Sequence, residues 1–86
     1  MISIVCPVFN EERYIEQCIN SIISQDIDEN IIELLFIDGM STDRTRSIIQ
    51  VYTEKYSFIR MIDNPNRTVP YALNIGIKES RGDIII

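Results

Sequence analysis

The residues best suited to chemistry stand where apolar runs stop. In Leu34-Leu35-Phe36-Ile37-Asp38-Gly39-Met40-Ser41-Thr42-Asp43 an apolar run ends at an acid and a glycine. A short apolar run bounded by turn residues predicts a buried strand, and in open α/β sheets ligands sit beyond the carboxyl ends of such strands. Asp38 would then offer an acceptor-only carboxylate to an N–H of a pyrimidine or to the hydroxyl pair of a ribose. Gly39 allows a positive φ or close backbone approach, and Ser41, Thr42 and Asp43 read as caps for the next helix.

A second loop, Pro7-Val8-Phe9-Asn10-Glu11-Glu12, is bulky and doubly acidic, the opposite of a glycine-rich pyrophosphate turn. An aromatic flanked by acceptors suits a base and a ribose: Phe9 gives an apolar surface, Glu11 and Glu12 take hydroxyl or imino protons. Taken singly, Phe9 reads as a hydrophobic staple and the two glutamates as a charged first helical turn. The third loop, Asn64-Pro65-Asn66-Arg67, brings Arg67, which suits a phosphate or base carbonyl and equally a solvated surface.

Other chemistries fail on residue type or place. With no histidine in the chain, a Ser/His/Asp set and a Cys/His zinc site are both impossible. Asp26-Ile27-Asp28 has the spacing of a metal-binding pair but lies before a strand, at the amino edge of the sheet. Cys6 and Cys18 lack electropositive neighbours and are expected to be small core residues in a reducing compartment.

The elements that must position these residues alternate. Strands are predicted over 2–7, 31–37, 58–62 and 84–86, and helices up to about Ser24, over 42–55 and from Pro70 to near Ser80. Tyr14, Ile15, Cys18, Ile19, Ile22 and Ile23 form the apolar stripe of the first helix, with Asn10 as its N-cap; Ile48, Ile49, Tyr52 and Tyr56 form that of the second. The order β-α-β-α-β-α-β implies a parallel α/β sheet with right-handed crossovers and helices on both faces.

Eighty-six residues hold at most one small domain. Eight basic against thirteen acidic residues give a net charge of −5 without a basic block, which argues against nucleic acid and anionic membranes as partners. A phosphate-bearing ligand therefore needs a metal ion or a placed arginine. The first residues lack a basic, apolar leader and no run approaches ~20 apolar residues, so a cytoplasmic location is expected.

The ordered series Ile4-Val5-Cys6-Pro7-Val8-Phe9-Asn10-Glu11-Glu12, Ser21-Ile22-Ile23-Ser24-Gln25, Ile37-Asp38-Gly39-Met40-Ser41-Thr42-Asp43-Arg44-Thr45, Ala72-Leu73-Asn74-Ile75-Gly76-Ile77 and Arg81-Gly82-Asp83-Ile84-Ile85 resembles the N-terminal half of a family 2 glycosyltransferase domain. Asp-Gly-Met-Ser-Thr-Asp and Asn-Pro-x-Arg before Ala-Leu-Asn-x-Gly resemble the succinoglycan-type bacterial glucosyltransferases. The resemblance implies a GT-A fold and transfer of a hexose, with inversion, from a UDP-linked or similar donor to a saccharide or lipid-linked acceptor in polysaccharide synthesis. It implies Pro7, Phe9 and Glu11 as nucleoside contacts and Asp38 as partner of the base. Phe9 stands in place of the usual tyrosine, and Gly39 where many relatives carry a second acid.

In the family a Mg²⁺- or Mn²⁺-binding Asp-x-Asp follows the strand that begins at Asp83, and the general base lies further on. Residues 1–86 are therefore expected to be a nucleoside-binding part cut before the metal ligands, inactive alone and prone to self-association through uncovered sheet. The rival expectation is a non-catalytic α/β binding or interaction module.

Overall fold

The computed structural model describes residues 1–25, 28–82 and 84–85. The chain runs β1 (Ile2–Val8), α1 (Ile15–Ile23), β2 (Ile32–Asp38), α2 (Thr45–Lys55), β3 (Ile59–Asp63), α3 (Val69–Glu79) and β4 (Ile84–Ile85). The strands form one sheet in the order β3-β2-β1-β4, with every neighbouring pair parallel. Three helices and the parallel sheet make the expected α/β arrangement.

β2 is the spine. Its residues from Glu33 to Asp38 are all buried, because successive side chains point to opposite faces and both faces are covered. Leu34 and Phe36 join Ile15 and Ile19 of α1, Ile49 of α2 and Ile59 in one core cluster. Leu35 and Ile37 meet Ala72 of α3 in the other. Helices α1 and α2 thus lie on one face and α3 on the opposite one. Gly76 lets α3 lie close on β1: a Cβ there would come within 2.3 Å of Val5 Cγ1.

Several boundaries differ from the sequence expectations. β1 continues through Pro7 to Val8. Ile2 N–H donates to Ile31 O, so the two-residue period turns the nitrogen of Pro7 to the other edge, where the described residues of β4 pair with Ile2 and Ser3. A proline there removes no bond to β2. α1 starts at Ile15, after a turn in which the N–H groups of Tyr14 and Ile15 both donate to Glu11 O. α2 starts at Thr45, and Tyr52 and Tyr56 are half-buried at its end.

The expectation that Cys18 is a core residue is corrected: it is exposed, as is Tyr14. The buried line of α1 is Ile15 and Ile19, with Ile22 and Ile23 packed beside it, and Cys18 and Tyr14 lie off its edge. Cys6 is half-buried in β1, and burial, with the neighbouring Cys18, pushes its thiol pKa up. Of the rejected Asp26-Ile27-Asp28 motif, Asp26 and Ile27 lie outside the described residues; Asp28 Oδ1 accepts from Asn30 N–H.

Candidate nucleoside site

The carboxyl ends of three strands meet in one row, because the register sets Val8 opposite Asp38 and Asp38 opposite Asp63. Beyond that row, on the α3 side, lies a cavity of about 210 Å³. Pro7, Phe9 and Glu11 wall it on one side, Gly39 lies at its floor, and Asn64 and Arg67 wall it on the other. Pockets for whole drug-sized ligands span ~300–1,000 Å³, so this one has room for one part of a larger ligand, such as a base.

Phe9 is 43% exposed and is not stapled onto α1. The guanidinium carbon of Arg67 stands 5.6 Å from its ring centroid, within cation–π range. Arg67 adopts φ 64, and Asn64 fixes that turn. Asn64 is 2% exposed; its Nδ2 donates to Thr68 O, while its Oδ1 and O accept from the N–H groups of Asn66 and Arg67. The loop that carries Arg67 is therefore built from a buried amide rather than left to solvent.

The wall that carries Phe9 and Glu11 is held by the loop after β2. Asn10 N–H donates to Ser41 Oγ, Glu11 N–H to Thr45 Oγ1 and Glu12 N–H to Asp43 Oδ2. In return Thr42 N–H donates to Asn10 Oδ1 at 2.8 Å and Arg44 N–H to Glu12 Oε2. Each loop thus satisfies backbone N–H groups of the other, ahead of both helices. Asn10 does not cap its own helix, as the local pattern predicts; α1 has no side-chain cap bond. The carboxyl of Asp43 is held below its usual pKa: desolvation works to raise it, and bonds from the Thr45 hydroxyl and backbone N–H outweigh that.

Asp38 lies behind this cavity rather than on its wall. It is fully buried, and its oxygens accept from Ser41 N–H, the Ser41 hydroxyl and Arg46 Nη1. Arg46 Nη1 stands 2.6 Å from Asp38 Oδ2 and 2.8 Å from Asp63 Oδ1, and these bonds push its pKa up. The structure thus brings Pro7, Phe9, Glu11 and Arg67 around one space and ties Asp38 to its support.

Sequence reasoning missed Arg46, which sits at an ordinary polar position of α2. Two acids at the ends of adjacent strands were the available signal. A divalent metal does not fit these residues. Among the described residues no group of three His, Cys, Asp or Glu side chains could hold one, and a guanidinium already fills the space between Asp38 and Asp63. Among the same residues, no helix is long and apolar enough to cross a membrane.

A parallel sheet with its cavity beyond the carboxyl strand ends defines an open α/β domain, in which ligands sit at that rim. The chain belongs to glycosyl transferase family 2, whose profile matches residues 3–86. It is 41% identical, over 99% of its length, to a dolichyl N-acetyl-alpha-D-glucosaminyl phosphate 3-beta-D-2,3-diacetamido-2,3-dideoxy-beta-D-glucuronosyltransferase of Methanococcus voltae, of which it covers 27%. It is 26% identical to a Staphylococcus aureus poly(ribitol-phosphate) beta-N-acetylglucosaminyltransferase, of which it covers 15%.

Solved structures agree on a GT-A glycosyltransferase fold. A mannosyltransferase from Pyrobaculum calidifontis in complex with GDP-Man and Mn²⁺ superposes with a TM-score of 0.86 at 25% identity, over 98% of this chain and 25% of that one. The S. aureus TarS 1-349 complex with UDP-GlcNAc gives 0.84 at 26% identity, over 99% and 25%. The chain spans about a quarter of the length of several of these proteins.

Proposed function

We propose that this chain is the nucleoside-binding part of an inverting glycosyltransferase that moves a hexose from a nucleotide-diphosphate sugar, UDP-linked by preference, in polysaccharide synthesis. The observation that carries the reading is the cavity shared by Pro7, Phe9, Glu11 and Arg67 at the carboxyl rim. The ring of Phe9 and the guanidinium of Arg67 give a base flat surfaces to lie against. Glu11 accepts its N–H or a ribose hydroxyl, and Arg67 supplies the positive charge that a chain of net charge −5 otherwise lacks for a phosphate.

In this reading the metal ligands, the general base and the acceptor site are contributed from outside residues 1–86. The family's relatives, several times longer than this chain, support that division. A bound Mg²⁺ or Mn²⁺ would neutralise the diphosphate leaving group. These residues by themselves bind donor without transferring sugar.

Calorimetry with UDP and GDP tests the reading. Phe9→Ala is expected to cost ~1–3 kcal/mol of nucleotide binding, the scale of one base–aromatic stack. Equal affinities of the native chain and Phe9→Ala would remove the cavity from nucleoside recognition.

A further inference from the structure

We propose that Arg46 is the positioning residue of the nucleoside cavity, holding both of its walls through a single guanidinium nitrogen. The inference rests on the nucleoside reading above but concerns a residue that touches no ligand.

Two chains of contact leave Arg46 Nη1. The first runs to Asp38 Oδ2 at 2.6 Å; Asp38 receives the Ser41 hydroxyl and N–H, and Ser41 Oγ receives Asn10 N–H at 2.9 Å. Asn10 lies between Phe9 and Glu11, so this chain ends on the first wall. The second runs to Asp63 Oδ1 at 2.8 Å, and Asp63 precedes Asn64, whose carbonyl and side chain shape the Arg67 turn on the second wall. Asn64 N–H also donates to Asp38 O at 2.7 Å, which closes the loop between the two chains.

Backbone conformation shows why such a clamp is required. Asn10, Met40 and Arg67 have φ of 50, 62 and 64, all in the left-handed region and none of them glycine. Non-glycine residues persist there only where surrounding contacts over-determine them. Arg46 reaches the Met40 loop directly, the Arg67 loop through Asp63, and the Asn10 loop through Asp38 and Ser41. Met40 Sδ itself stands 3.9 Å from Arg46 Nη1.

Charge points the same way. Parallel pairing sets two carboxylates side by side at the ends of β2 and β3, one of them fully buried. Without a cation between them they repel, and Asp38 becomes an unpaired buried charge, a costly state. Arginine suits the place because it stays protonated and its planar head offers several donors.

Amide hydrogen exchange on the free protein, beside calorimetry with UDP and GDP, separates this proposal from the nucleoside reading. In Arg46→Gln the amides of Asn10, Ser41 and Arg67 are expected to lose protection together. Nucleotide affinity falls about three- to thirtyfold, and Arg46→Lys restores most of both. Asp63→Asn, at a half-exposed carboxylate, is expected to loosen Arg67 while Asn10 keeps its protection.

Unchanged protection on both walls in Arg46→Gln overturns the proposal whether or not a nucleotide binds. If Arg46→Gln does not fold, Asp63→Asn decides: an unaltered Arg67 amide overturns it. A native protein that binds neither nucleotide but shows the paired loss of protection refutes the nucleoside reading and leaves the clamp in place.

Discussion

Asn10 and Ser41, 31 residues apart, hold each other's loops: Asn10 N–H donates to Ser41 Oγ at 2.9 Å, and Asn10 Oδ1 receives the N–H of the residue after Ser41 at 2.8 Å. The exchange replaces two separate helix caps with one interlock, and Phe9 and Glu11 are set by it. Asn10→Ala removes the Oδ1 acceptor of Thr42 N–H and replaces, at φ 50, a residue type that tolerates the left-handed region with one that does so less readily. A loss of about 1–2 kcal/mol is expected in urea denaturation, the scale of a lost hydrogen bond together with that difference in backbone tolerance. Asn10→Gly keeps the left-handed backbone without the Cβ penalty and should lose less.

Met40 offers the converse experiment. Its φ of 62 puts a long side chain where glycine fits better. Met40→Gly is expected to raise stability by about 0.5–1 kcal/mol, the relief of left-handed strain less the entropy that glycine adds to the unfolded chain. The denaturation midpoint reads the gain. The loss of a half-buried sulfur near Arg46 is the opposing term, so a fall in stability would show that the Sδ contact outweighs the strain.

The fold was legible because its periodicity is local. An apolar run such as Leu34 to Ile37 reads as a strand covered on both faces without knowledge of its neighbours, and the alternation of elements then leaves little topological freedom. Of the cavity-lining residues, Phe9, Glu11 and Arg67 were legible because their loops follow apolar runs, and Pro7 through the family resemblance. The connections between them were not. Asn10 looks like the cap of its own helix and instead accepts from Thr42 N–H, in a loop 32 residues away. Arg46 looks solvent-facing until the β2–β3 register sets Asp38 beside Asp63. Cys18 follows the helical stripe in sequence yet lies at its edge, because the apolar arc of α1 is narrower than a pattern of residue types suggests.

Packing of α3 on the sheet depends on a missing side chain. A Cβ at Gly76 would meet Val5 Cγ1 at 2.3 Å and Cγ2 at 2.9 Å. Gly76→Ala is therefore expected to destabilise by about 1–3 kcal/mol, the cost of overpacking a filled core, despite alanine's better helix propensity. Val5→Ala removes both offending methyl groups. In the double variant the two losses should sum to less than their separate values, a coupling that a double-mutant cycle measures directly.

Glu33 makes stability depend on pH at the opposite end of the sheet. It is 4% exposed in a strand otherwise apolar up to its final acid. Its Oε1 accepts the Ser3 hydroxyl at 2.7 Å and Arg81 N–H at 2.6 Å, and Ser3 Oγ in turn accepts Gly82 N–H at 2.9 Å. Arg60 Nη1 stands 3.9 Å from the other oxygen. This carboxylate therefore ties the approach to β4 onto the amino ends of β1 and β2. Burial works to raise its pKa, but the Arg81 N–H, the Ser3 hydroxyl and the charges of Arg60 and Arg81 outweigh it and hold the group below its usual range. A depressed folded-state pKa means that the unfolded chain takes up the proton first. The stabilisation is complete above the unfolded value, about 4.3 for a glutamate, and is lost as pH falls through the folded one. At neutral pH Glu33→Gln is expected to cost about 1.5–3 kcal/mol, the range for hydrogen bonds to a charged group. Below the carboxylate range the native side chain is neutral too, so the two stability curves should converge on acidification. A gap that stayed constant down the acid limb would mean that the ionised form contributes nothing and that shape alone holds the clasp.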